Sequence, residues 1–332
     1  MKAIVNTARG AAAENLHLLD IERPEPAPGE VRVAIRASGV NPSDCKLRSG
    51  AQGPMVADQV VVHNDGAGVV DAVGAGVDAA RVGQPVWLYN VNRSPDGVGQ
   101  GVRGTAAEYV CVRAALAAEL PDGIDFDLGA CLGVPAMTAH RALFWAGSLR
   151  DKTVLVSGGA GAVGHAAVQM AAAAGARVIA TVSSDEKARI AAEAGAEIVL
   201  NYRQGDLADQ IVAALGAKSI DHLVDVDLAA HIDMLPRIMC SGGTVGAYAT
   251  ASNLTPAMPF YPLAMSNIAI QPVFVYSLSQ AQKDVAISDI NDFLRVGKLK
   301  PRVAARFALS DAVQAHEAIE GNSLIGNAIL EI

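Results

Sequence analysis

The sequence predicts an α/β protein in which a β-rich part precedes a doubly wound parallel sheet, and three observations predict it. The first is Thr153–Ser184, TVLVSGGAGAVGHAAVQMAAAAGARVIATVSS. It holds a short apolar run, a glycine-rich turn, an alanine-rich helix stopping at Gly175, and a second apolar run from Arg177 to Val182. Strands joined through a helix form a crossover unit and run parallel. The second is that apolar runs and helical segments continue to alternate after this stretch, as in a sheet covered on both faces. The third is that the chain before about Pro121 consists of short β-branched runs separated by proline and glycine.

Within the crossover unit, Gly159, Gly161 and Gly164 satisfy G-x-G-x-x-G between strand and helix. The first permits the tight turn, the second lets backbone approach a pyrophosphate, and the third lets helix and strand pack closely. The phosphates would meet the helix start at Ala162 and Val163, where unpaired N–H groups and the positive dipole end favour an anion. This pattern predicts dinucleotide binding.

At 332 residues the chain exceeds one ordinary core, so two domains are expected. A formal net charge of −8 argues against a nucleic-acid partner. Cys45, Cys111, Cys131 and Cys240 lie far apart with no C-x-x-C pair, which suggests neither a zinc lobe nor a disulfide framework, and makes a reducing cytoplasm the expected compartment. MKAIVNTARG lacks the charged-then-apolar build of a secretion signal, and no apolar run has the length to span a bilayer.

In chain order, strands are expected at Lys2–Val5, Glu30–Ala37, Gly66–Val73, Pro85–Tyr89 and Ala106–Val112, with turns at Pro24–Gly29, Gly74–Gly76 and Ser94–Gly97. Leu128–Trp145 is helical in composition but interrupted at Gly133 and Pro135, so two helices should meet at a kink. Beyond the crossover unit, Ser184–Ala194 reads as a helix capped by Ser183 or Ser184 with acids in its first turn. Strands follow at Glu197–Asn201, Ile220–Val226, Gly243–Tyr248 and Ile268–Tyr276, with helices at Leu207–Leu215 and Ile232–Met239 between them. The tail reads as helix Ile287–Val296, strand Val303–Ala308, helix Ser310–Glu320 and strand Asn327–Ile332, too little for a core of its own.

These segments carry a family resemblance. GVNPSD at Gly39–Asp44, DGAGVVDAVGAGV at Asp65–Val77, GTAAEYV at Gly104–Val110, GVPAMTAHRAL at Gly133–Leu143, GGAGAVG at Gly158–Gly164 and NYR at Asn201–Arg203 occur in family order. On them the chain resembles the medium-chain dehydrogenase/reductases, in particular the zinc-free, zeta-crystallin-like branch of NADPH:quinone oxidoreductases. The resemblance implies a GroES-like catalytic domain made of both chain ends, residues 1–121 and 277–332. It further implies an inserted Rossmann domain, residues 122–276, an active site in the cleft between the two, and a homodimer joined at the Rossmann sheet edge near Met258–Val275.

It also bears on metal and cofactor. Zinc alcohol dehydrogenases carry Cys where Asn41 stands and a GHE triplet where His63, Asn64 and Asp65 stand. Asn41 and Asn64 replace the Cys and His that tetrahedral zinc needs, so no metal is expected. No acid ends the second strand of the crossover unit before Asp185, and an acid there is what bonds the ribose hydroxyls of NAD. Ser183 and Ser184, with Lys187 and Tyr202 carried over from the family's phosphate-binding pair, point to NADPH. The resemblance places Asn41, Pro42, Ser43, Asp44, Thr138, Gly246, Ala247, Tyr248, Phe274, Val275 and Tyr276 about the nicotinamide, Thr138 being also a candidate cap for the segment after Pro135. Asn41 and Asp44 are the candidate catalytic groups, as hydrogen-bonding residues around the ribose and substrate oxygen. Tyr89 is a candidate proton donor, with core packing as its alternative, and Arg93 and Arg103 either steer anionic groups or solubilise their loop. Hydride transfer without a metal suits a quinone or enone, whose conjugated system holds the resulting charge. An enoyl-thioester or alkenal reductase shares every motif, and a nucleotide-binding redox sensor needs only the glycines.

Overall fold

The computed structural model describes residues Met1–Ile332. Sixteen strands follow in chain order. In the first part of the chain they are β1 (Lys2–Asn6), β2 (Leu16–Asp20), β3 (Glu30–Val40), β4 (Val60–Val61), β5 (Asp65–Val73), β6 (Pro85–Leu88), β7 (Tyr109–Arg113) and β8 (Ala117–Glu119). The middle holds β9 (Thr153–Val156), β10 (Arg177–Val182), β11 (Ile198–Asn201), β12 (Ile220–Asp225), β13 (Met239–Ala247) and β14 (Ala269–Pro272); β15 (Val303–Ala308) and β16 (Asn327–Glu331) close the chain. Two compact units result. A β-rich unit comprises Met1–Val134, Tyr276–Arg295 and Pro301–Ile332, and a parallel-sheet unit comprises Pro135–Val275 and Val296–Lys300.

In the parallel-sheet unit the strand order is β11-β10-β9-β12-β13-β14, and every neighbouring pair is parallel. This is the doubly wound 3-2-1-4-5-6 order, whose direction reverses between β9 and β12 and leaves a crevice beyond their carboxyl ends. Leu155, Ile179, Leu223 and Val245, one from each central strand, are fully buried and pack with Ile211, Leu235 and Ile238 from the covering helices. The apolar runs read as strands are continuous because both faces of this sheet are covered.

In the β-rich unit, long β3 organises a seven-stranded sheet. It pairs antiparallel with β5 on one side, and on the other with β7 through its first half and β16 through its second. A smaller sheet of order β2-β1-β4 completes the unit. Its core gathers Ile4, Val40, Val62, Ala315 and Leu330, so residues from both chain ends share one apolar cluster.

Several expected elements shift. Ala106–Val112 forms a strand only from Tyr109, because Ala107 already bridges singly to Ala3. The helix expected at Ile232–Met239 breaks into a turn at Ile232–Met234 and one helical turn at Leu235–Ile238, since Pro236 has no N–H to donate, and β13 begins at Met239 rather than Gly243. The strand expected to Tyr276 ends at Pro272, and Val275–Ser277 is a 3-10 turn. The kink is real: Leu132–Ala136 is a π turn containing Pro135, followed by a helix at Met137–Phe144. The helix Pro42–Ser49 was not foreseen.

Candidate functional site

Each unit holds a candidate site of its own. In the parallel-sheet unit, the chain leaves β9 at Ser157, whose hydroxyl donates to Asp225 Oδ1 at 2.8 Å and so ties the ends of β9 and β12. Asp225 also receives the N–H of Asp227 (3.0 Å) and faces His231 Nδ1 (2.7 Å). The left-handed residue of the turn is Gly158, at φ +69°, rather than the first fingerprint glycine. Gly159 instead lies against β10, where a Cβ would stand 2.7 Å from that of Ala180. A Cβ on Gly164 would collide with the Gly158 carbonyl, so the third glycine lets the helix close on the turn itself. Gly161 is the exposed cap residue of the helix Ala162–Ala173, which has no side-chain cap. The first intrahelical bond runs from His165 N–H to the Gly161 carbonyl at 2.7 Å, leaving the N–H groups of Ala162, Val163 and Gly164 without an acceptor in the helix.

At the end of β10 the expected polar group assembles. Ser184 caps the helix Asp185–Glu193 by accepting from the Lys187 N–H, and Lys187 Nζ donates to Ser183 Oγ at 3.1 Å. The Tyr202 N–H donates to the Val182 carbonyl at 3.1 Å and its ring is exposed, so Ser183, Ser184, Lys187 and Tyr202 gather at one strand end. This is a fitting seat for a phosphate beside an adenosine ribose, because hydroxyls and an ammonium stand where an acid would repel it.

Other expected residues have plainer surroundings. A Cβ on Gly246 would collide with the Ala142 carbonyl, so that glycine is explained by β13 packing on the helix Met137–Phe144. Thr138 is buried in this helix without capping it; the cap residue is Ala136 and makes no side-chain bond. Ala247 accepts the Val273 N–H at 2.7 Å, and the Tyr248 N–H donates to the Asp225 carbonyl at 3.0 Å. Phe274 is exposed and Val275 buried. Tyr276 belongs to the β-rich unit, where its hydroxyl donates to Ser43 Oγ at 2.6 Å and the Arg93 guanidinium lies 3.7 Å over its ring.

The β-rich unit holds a buried polar cluster. Pro42 opens the helix Pro42–Ser49, where its missing N–H costs nothing. The Asn41 N–H donates to Asp44 Oδ2 at 2.9 Å, fixing the helix start. Asn41 Nδ2 donates to Asp65 Oδ2 (2.8 Å), which also takes the Val134 N–H (2.7 Å), and Asn64 Nδ2 donates to Asp44 Oδ1 (2.8 Å). All four side chains are buried: Asn64 and Asp65 are 0 % exposed, Asp44 3 % and Asn41 5 %.

Burial governs the charge here. It pushes Asp44 up to about 6 against the hydrogen bonds of Asn41 and Asn64 and the pull of Arg93. It pushes Asp65 well above the ordinary carboxylate range, further than the bonds from Val134 and Asn41 draw it back. Asp65 Oδ1 is buried without a hydrogen-bond partner. Beside the cluster, His63 Nδ1 meets Ser38 Oγ at 2.9 Å and His63 Nε2 meets His316 Nε2 at 2.9 Å. Burial holds both rings neutral, His316 down to about 3. His63 is thus tied into a buried hydrogen-bonded pair.

Tyr89 is packed as its alternative reading expects. Its side chain is fully buried and its hydroxyl donates to the Ala115 carbonyl at 2.6 Å while accepting from Gln280 Nε2 at 3.2 Å. Burial raises its pKa. Sequence reasoning missed Asp65 and Ser157 as site residues. Asp65 had a signal, since it stands at the glutamate of the zinc enzymes' triplet; Ser157 and Asp225 lie 68 positions apart and had none.

Comparison with known proteins agrees with this geometry. Residues 27–122 match the alcohol dehydrogenase GroES-like domain and residues 162–291 match the zinc-binding dehydrogenase domain. The chain is 31 % identical to a quinone oxidoreductase of Salmonella typhimurium over 326 residues, covering 96 % of this chain and 95 % of the relative. It belongs to the medium-chain dehydrogenase/reductase superfamily. A 2-haloacrylate reductase of Burkholderia sp is 29 % identical over 344 residues, covering 99 % and 98 %. Among solved structures, the Escherichia coli quinone oxidoreductase complexed with NADPH superposes with a TM-score of 0.86 at 25 % identity, covering 100 % of both chains. The superfamily's GroES-like and Rossmann domains correspond to the β-rich and parallel-sheet units, and its chemistry makes this chain an oxidoreductase. No helix is long and apolar enough to cross a membrane.

The zinc named in one of these domain descriptions does not fit the residues here. At two ligand positions stand amides, Asn41 and Asn64, whose N–H groups are directed at the carboxylates of Asp65 and Asp44. A carboxylate that receives such a donor offers a cation less, and an amide N–H offers it nothing.

Proposed function

We propose that the protein is a zinc-independent, NADPH-dependent reductase of quinones or closely related conjugated carbonyls. The observation that carries the reading is the conversion of the metal position into two amide–carboxylate pairs, Asn41 with Asp65 and Asn64 with Asp44. Without a metal to polarise an isolated carbonyl, the acceptor must itself delocalise the incoming charge, and a quinone does so. NADPH, when bound, supplies the hydride. The N–H groups of Ala162, Val163 and Gly164 receive its pyrophosphate, and Ser183, Ser184, Lys187 and Tyr202 receive the 2′-phosphate. Asn41 and Asp44 orient the reacting partners by hydrogen bonds, and Asp65, buried and sealed by Val134, holds the Asn41 amide in one orientation. Tyr276, pinned to Ser43, fixes the helix start that carries them.

A related reading, reduction of an activated double bond beside a carboxylate, is favoured by the likeness to the 2-haloacrylate reductase. One substrate panel tests both: oxidation of NADPH and of NADH with 1,4-benzoquinone, 9,10-phenanthrenequinone, an alkenal and 2-chloroacrylate. Quinone turnover faster with NADPH and unchanged by prolonged chelation is the expected result. Cofactor binding with no turnover on any acceptor would reject the enzymatic reading, and activity lost to the chelator and restored by zinc would reject zinc independence. A dimer through the β14 edge of the parallel sheet is also proposed, since β14 is the last strand there and Met258, Phe260, Tyr261 and Met265 nearby are exposed.

A further inference from the structure

A cavity of about 470 Å³ lies within the β-rich unit, walled by the loop Asn90–Arg103, by β7 and by the helix Gln280–Arg295. Its size suits a small organic ligand. The wall holds four cations, Arg93, Arg103, Arg113 and Lys283, against one acid, Glu30. Arg103 takes that acid, donating to Glu30 Oε1 at 2.6 Å and to the Cys111 carbonyl at 2.9 Å. Arg113 and Lys283 are left with no carboxylate in the wall.

Lys283 is the telling residue. It is 8 % exposed, and its ammonium donates to the Tyr276 carbonyl at 2.9 Å, which leaves two of its three donors. Burial and the neighbouring Arg113 both lower its hold on a proton, so two like charges are kept together in a place that disfavours them. An anion between them would relieve both costs. The rest of the wall is largely apolar, with Val91, Val102, Val112 and Leu116, and so favours a ligand with an apolar body.

We propose that this cavity binds a small amphipathic carboxylate, whose anionic end is held by Lys283 and Arg113 and whose apolar body lies along Val102 and Leu116. The cavity shares no residue with the dinucleotide cradle, and the proposal does not depend on the cofactor reading. The Tyr276 carbonyl, held by Lys283 and by Asn90 Nδ2 at 2.9 Å, forms part of its surroundings.

The test is calorimetric titration of the full chain, without nucleotide, with sodium octanoate, and with octanamide as the uncharged probe of the same length. Octanoate should fill a single saturable site, more weakly at raised ionic strength. Lys283→Met and Arg113→Gln should each weaken it by about tenfold, and octanamide should bind at least about tenfold more weakly than octanoate, since each removes a charge-assisted hydrogen bond. Lys187→Ala, in the cradle, should leave octanoate binding unchanged. The proposal is overturned if octanoate shows no saturable site, if octanamide binds as tightly, or if Lys187→Ala abolishes binding while Arg113→Gln does not. Arg113 is exposed, so Arg113→Gln decides the matter if Lys283→Met fails to fold.

Discussion

The dinucleotide cradle and the buried polar cluster are built in opposite ways. The cradle is mainly backbone: a strand, a turn left-handed at Gly158 and a helix start with no side-chain cap, with side chains absent where they would interfere. The cluster is all side chain, two amides and two carboxylates buried to 5 % exposure or less, each oriented by another. A site made of backbone is specified by where glycine stands. A site made of buried side chains is specified by partners and protonation, so the cluster should respond more strongly to single substitutions and to pH.

The largest expected effect is at Asp65. Asp65→Ala leaves the Asn41 amide and the Val134 N–H without an acceptor and should cost about 2–6 kcal/mol of stability, read from denaturant unfolding. Asp65→Asn keeps a carbonyl oxygen for both donors and carries no charge for burial to oppose, so it should remain within about 1 kcal/mol of the parent at neutral pH. Equal losses in the two variants would mean that Asp65 is ionised, and the contrast between cradle and cluster would lose its electrostatic half.

Asp44 comes next. Its folded pKa, about 6, lies above the unfolded value, so the stability it contributes is present below about pH 4 and lost as pH rises through about 6, on the order of 3 kcal/mol across that window. Asp44→Asn removes this dependence, and its Tm relative to the parent should be higher at about pH 7 than at about pH 4. His63, His222 and His316 act in the opposite sense, since burial holds them neutral and their contribution is lost as pH falls from about 6.5. They are common to both proteins and cancel in the difference. A pH-independent difference would place Asp44 in solvent.

On the cradle side, Lys187→Ala should raise the KM for NADPH about tenfold and leave that for NADH nearly unchanged, the loss of one charge-assisted bond to a phosphate that only NADPH carries. An equal rise for both cofactors would remove Lys187 from the phosphate seat. The smallest effect is at Tyr89, where Tyr89→Phe should cost about 1 kcal/mol for the bond to the Ala115 carbonyl and leave kcat within about twofold. A large fall in kcat with stability intact would return Tyr89 to the reaction.

Much of the fold was legible because its signals are local. The continuous apolar runs of β9, β10 and β12 follow from burial on both faces, and Ser184 before Asp185 and Glu186 announced its helix. The helix Pro42–Ser49 was hidden by its polarity: PSDCKLRS has no apolar stripe, and its start is fixed by Asp44 returning to the Asn41 N–H. The strand expected to reach Tyr276 failed for a different reason. QPVFVY is apolar enough for a strand, yet Tyr276 is held elsewhere by Ser43, Asn90 and Lys283, none of which is near it on the chain except the last.

By itself, then, the sequence determined the crossover unit, the place of the glycines, and the hydroxyls and lysine after β10. Each of these depends on residue type at a fixed short spacing. Only the tertiary structure decided that Asp65 is sealed among amide donors, that Tyr89 is spent on Ala115, and that Lys283 and Arg113 share a cavity whose one acid, Glu30, is taken by Arg103. Burial and partnership set those outcomes, and both are created when β3, β5, β7 and a helix from the far end of the chain come together.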